Sequence, residues 1–117
     1  MTCLAVLPGA ASADDIDAPY ARAAAKVSID ARLLHAKNVE AVTLGTGSAG
    51  VYCVRVSSAA VPDLSTAAVV ASLGTRGQIS TIDAPHAFCN NAANTVTVLT
   101  HNDQGIFADK AFTLAVL

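Results

Sequence analysis

Val39-Glu40-Ala41-Val42-Thr43-Leu44, then Gly45-Thr46-Gly47-Ser48-Ala49-Gly50, then Val51-Tyr52-Cys53-Val54-Arg55-Val56-Ser57 is the stretch that decides the fold class. In the third segment Tyr52, Val54 and Val56 share one face of an extended chain, and Val51, Cys53 and Arg55 share the other. Side chains of a strand alternate between faces, so this is a half-buried strand. Two such runs around a glycine-bearing turn read as a β-hairpin. The glycines also imitate part of a phosphate-binding loop. Such a loop must open a helix whose N–H groups face the phosphate, and here a β-run follows.

The same period extends outward from the hairpin. Val27, Ile29 and Ala31 alternate with Ser28, Asp30 and Arg32, which predicts a strand beginning at Lys26, with Leu33–Asn38 as a connection. Ala67–Leu73 is apolar on both faces, as in a buried or interface strand, and Gly74–Gly77 turns it into Gln78–Ile82. Asp83–Asn94 is the longest irregular stretch. Thr95–His101 alternates again, and Lys110–Leu117 closes the chain with Phe112, Leu114 and Val116 on one face. About seven short strands with regular turn signals predict an all-β protein, either an antiparallel sandwich or a jelly-roll-like barrel.

The 117 residues suit one domain. They include 25 alanines and 13 valines against three Phe, two Tyr and no Trp, so the core is built from small and β-branched groups. Each contributes modestly, at roughly 25 cal/mol per Å² of apolar surface buried, and such a core gains from a cross-link or from association. Net charge is −2, and the seven Lys and Arg are scattered singly, which argues against nucleic acid as a partner. No apolar run reaches the roughly 18–20 residues of a membrane span.

Residues 1–13 read as an export signal. Leu4–Leu7 is a short apolar run, Pro8-Gly9 breaks it, and Ala11-Ser12-Ala13 has the small-residue pattern of a cleavage site. The expected organisation is therefore a signal remnant over 1–13, a lead-in segment over 14–25, a β-domain over 26–117, and a secreted location. Cleavage removes Cys3 and leaves Cys53 and Cys89. An even pair in an oxidising compartment suggests one disulfide, the alternative being two buried thiols.

No catalytic, cofactor-binding or metal-ligating set emerges, and the chain reads as a non-enzyme. His35, His86 and His101 lie in or beside expected turns, without the convergent spacing a metal needs. The Gly-x-Ser-x-Gly elbow of serine hydrolases is missing, and Asp83, Asp103 and Asp109 suit turns.

Val39–Gly47 with Val51–Val56 resembles a "V-x-x-V-x-x-x-G-x-G-x-Y-x-V-x-F" hairpin, with Val56 in place of the final Phe. It recurs in small secreted actinobacterial proteins of unknown function and in C-terminal β-domains of phage tail fibres. Thr95–Val116, with Asn102-Asp103, Gly105, Ala108-Asp109 and Phe112, resembles the "V-x-T-x-D-x-x-G-x-x-A-D-x-x-F-x-L-x-V" ending of the same group. The resemblance implies a structural or adhesive module acting through its surface, and trimeric association. The apolar strand offers Ala67, Val69, Val70 and Ala71 as the interface, unless Asp83–Asn94 covers its second face and leaves a monomer. The alternative function is a small-ligand domain, for instance for a glycan, with Tyr20 as the aromatic lying outside any strand.

Overall fold

The computed structural model describes residues 13–47 and 49–117, and the expected export signal, apart from Ala13, lies outside the described residues. Nine strands are present among them: β1 (Asp14–Asp15), β2 (Ala23–Val27), β3 (Leu33–Lys37), β4 (Val39–Leu44), β5 (Val51–Val56), β6 (Val69–Leu73), β7 (Gln78–Ile82), β8 (Thr95–His101) and β9 (Phe112–Val116). They form a sandwich of two sheets, with strand orders β1-β3-β2-β9-β6 and β4-β5-β8-β7. All pairings are antiparallel except β1 with β3. The hairpin is β4–β5, in register from Leu44 opposite Tyr52 to Val39 opposite Val56, with a bulge between Val39 and Ala41.

Inward-facing side chains of the two sheets make one core. Ala23, Ala25 and Val27 of β2 and Phe112, Leu114 and Val116 of β9 meet Tyr52, Val54 and Val56 of β5 and Val96 and Val98 of β8. Val61 and Leu64, from the connection between β5 and β6, join the same cluster. The first strand of the β-domain differs from the expected one. β2 begins at Ala23, inside the expected lead-in, and ends at Val27, leaving Ile29 56% exposed. Ser28–Arg32 is a tight turn instead. Arg32 N–H donates to Ser28 Oγ, Ser28 Oγ–H to the Asp30 carboxylate, and Ala31 takes a left-handed φ of 64°. Serine and aspartate side chains compete with strand pairing in this way, which outweighs the alternation of Val27, Ile29 and Ala31. The turn sends Leu33–Lys37, expected as a connection, back as β3 beside β2.

Tyr52 joins the two sheets. Its hydroxyl donates to the Ile29 carbonyl at 2.6 Å and accepts the Lys110 N–H at 3.1 Å. Burial, and then the nearby Asp109 carboxylate, push the phenol above its ordinary value of 10. The neutral phenol therefore favours the native state. Its contribution is complete below pH 10 and is lost as pH rises through the higher native value. Tyr52→Phe should cost about 1–2 kcal/mol at neutral pH, since two polar partners lose the hydroxyl. It should also flatten the loss of stability above pH 10, as read in urea melts across the alkaline range.

Candidate functional site

The outer face of the four-stranded sheet carries a built concavity. Cys53 alternates with the core residues Tyr52 and Val54, so it points away from the core. There it is bonded to Cys89 as a disulfide, closing 36 residues of sequence. The bond holds the Asp83–Asn94 excursion against the sheet. A 3-10 turn, Ala87–Cys89, sits at the attachment point, capped by His86 Nδ1, which accepts the Phe88 N–H at 3.1 Å. Thr46 N–H donates to the Phe88 carbonyl at 2.9 Å, tying the hairpin turn to the same loop. Asn90, Asn91 and Asn94 take left-handed φ of 57°, 53° and 55°. Asparagine tolerates that region best among residues with a side chain, which lets the loop reverse direction tightly.

Between this loop and β4–β5 lies a groove of about 340 Å³, with the disulfide at its floor. Phe88, Leu44 and Ala41 give it apolar walls, while Thr43, Asn90 and Arg55 supply polar groups. Arg55 Nε pairs with Glu40 Oε1 at 3.1 Å, and both side chains are more than half exposed. A pair so exposed adds only about 0–1 kcal/mol. Its guanidinium is therefore available to an incoming polar group at little cost to the fold.

The expected interface residues separate into two sets. β6 starts at Val69 and is an edge strand of the five-stranded sheet. Val69 and Ala71 lie opposite Val116 and Leu114 of β9, so they face inward, and Ala67 packs against the core. Val70 alone of the four faces outward, opposite Ala115, and is 50% exposed. With Ser72, Thr113 and Ala115 it lines a shallow, open depression of small, uncharged side chains. The Asp83–Asn94 loop does not cover this face, because its disulfide fixes it to the other sheet.

The remaining candidates have local partners. His35 Nδ1 is 3.3 Å from the Asp15 carbonyl, and the His101 ring lies 4.3 Å from that of Phe107. Asp109 Oδ1 accepts the Gly50 N–H at 2.7 Å, and Asp103 pairs with Arg76. Among the described residues no three His, Cys, Asp or Glu side chains converge as a metal site would require. Tyr20 is 94% exposed and lies away from the groove, while Phe88, which the sequence reading passed over, lines it. The signal for Phe88 was its place beside a cysteine in the Asp83–Asn94 loop: a disulfide there holds its neighbours at the surface of the sheet. Compared with family models, curated proteins and solved structures, the chain matches none.

Proposed function

We propose that this chain is an exported structural or adhesive β-domain that acts through its surface. The observation that carries the reading is the Cys53–Cys89 disulfide, which pins the Asp83–Asn94 loop to the outside of a β-sandwich. Such bonds persist in oxidising compartments, and they fit small domains whose cores are short of large side chains. The Ala11-Ser12-Ala13 pattern supports export, and the tail-fibre-like hairpin and ending support a structural role. Among the described residues no helix is long and apolar enough to cross a membrane.

Two measurements on natively produced protein test this. N-terminal sequencing of material from the culture medium should begin at Asp14, and an intact Met1 in the cytosol would refute export. Labelled full chain should co-sediment with washed envelopes of the producing cells in a saturable manner. Recovery entirely in the supernatant would refute the adhesive role.

The groove over the disulfide favours a second reading, small-ligand binding. A ligand would rest on Phe88 with Arg55, Asn90 and Thr43 at its edges. A glycan-array screen separates the two. Hits abolished by Phe88→Ala support the ligand site, and an empty array leaves the surface reading.

A further inference from the structure

The outer strands of the two sheets differ in how they are protected. An edge strand exposes a row of main-chain donors and acceptors to other chains, and proteins blunt it with charge, brevity, bulges or proline. β1 is two residues long, and both are aspartates. β4 carries a bulge and Glu40. β7 lies between the Arg76–Asp103 pair and Asp83. β6 has none of these devices. From Ala67 to Leu73 there is no charged residue and no proline, and its pairing with β9 runs without a bulge.

The hydrogen bonds beyond each end of β6 set its phase. Leu117 N–H donates to the Ala68 carbonyl, and Gly74 N–H donates to the Ala111 carbonyl. In an antiparallel ladder, residues alternate in the side to which both of their main-chain groups point. Ala68, Val70, Ser72 and Gly74 therefore address β9, and Val69, Ala71 and Leu73 address the open edge. Among the described residues, none of those edge-facing groups meets a partner outside the strand ladder.

We propose that this edge pairs antiparallel with the same edge of a second copy, about a two-fold axis beside Ala71, joining two five-stranded sheets into one. The proposal rests on the surface-acting reading and names its partner. The edge is self-complementary. Ala71 falls opposite the partner's Ala71, and Val69 opposite the partner's Leu73, so every outward N–H and C=O meets its counterpart. Directly opposed residues share a face, so Val69 and Leu73, both partly exposed at the rim of the core, come together on the inner side. On the outer side Val70 lies opposite the partner's Ser72, with no charge to desolvate or repel. An edge pairs once, so the assembly closes as a dimer, in place of the trimer implied by the tail-fibre resemblance.

The test uses the exported protein recovered from the medium, with its disulfide confirmed by intact mass, in sedimentation velocity at about 10 μM and above, where mass action favours association. The wild type should sediment at twice the chain mass. Ala71→Pro removes an edge-facing N–H and no bond to β9, which strands tolerate at an edge, and should halve that mass while leaving the circular dichroism unchanged. Val70→Lys alters an outward side chain and should raise the dissociation constant at least about tenfold, as edge lysines do. It carries the test if the proline variant unfolds. A monomeric or trimeric wild type overturns the proposal, and so does a dimer that Val70→Lys leaves intact. The surface-acting reading fails separately. Loss of envelope co-sedimentation by a dimeric wild type would overturn that reading, while co-sedimentation by a monomeric wild type would remove only the edge pairing.

Discussion

Replacing both Cys53 and Cys89 with alanine should lower unfolding stability by roughly 3–4 kcal/mol, the loop-closure entropy for a loop of this length. The bond joins residues 36 apart in sequence, and without it the unfolded chain regains that freedom. For a domain near 100 residues the loss corresponds to a fall in Tm of about 15 °C or more. A local effect should accompany the global one. The Thr46 N–H, bonded to the Phe88 carbonyl, should exchange with solvent much faster, because the loop that carries the acceptor is no longer anchored to β5. Urea melts and amide exchange measure the two effects. A drop below about 1 kcal/mol would mean that other contacts hold the Asp83–Asn94 loop and that the unfolded state keeps structure there. The same variants would also remove the floor of the groove, so any ligand found for it should be lost with them.

Phe112→Ala should be the most damaging single change in the core, at about 3–5 kcal/mol. Phe112 is almost wholly buried and lies between Val27 of β2 and Leu73 of β6 in the ladder. Its ring meets that of Tyr52 edge-on, with centroids 5.0 Å apart and planes at 70°. Among the described residues these are the only two aromatic rings in the core cluster, which is otherwise made of alanine, valine and leucine. Short branched side chains cannot extend into a void of phenyl size, so the cavity stays open and the full cost is felt. Phe112→Leu should cost less, since most of the volume remains. Denaturant midpoints at constant m-value give the comparison. If Phe112→Leu and Tyr52→Leu, each of which removes one ring, prove additive, the two rings are not coupled, and the edge-on contact contributes little.

How much of this was legible beforehand depends on the kind of signal. The strands β5, β8 and β9, and with β5 the outward facing of Cys53, follow from strict alternation, which is local to each segment. In β4 the alternation is broken by the bulge, which puts Val39 and Val42 on one face. Counting suggests the pairing of Cys53 with Cys89 if Cys3 is set aside, with two buried thiols as the alternative, and the structure forms the bond. The Asp83–Asn94 stretch reads as irregular, but the sequence is silent on which sheet it covers. That is decided by the disulfide and by the Thr46–Phe88 hydrogen bond, both contacts between distant residues.

Composition and alternation by themselves determined an all-β chain with a small-residue core, a central hairpin and an available cysteine pair. Tertiary structure alone decided the rest. Alanine is nearly neutral in any hydrophobic pattern, so Ala23–Ala25 gave no sign of lying in a buried strand until Leu33–Lys37 and Phe112–Val116 closed on either side of it. Ala67–Leu73 reads as two-faced because Val69 and Val70 are equally apolar, and only the pairing with β9 turns one inward and the other out. Whether a strand is central or at an edge is likewise a property of its neighbours. Main-chain hydrogen bonds are donated by groups that every residue except proline carries, so the open edge of β6 leaves no mark in the side chains beyond the missing charge.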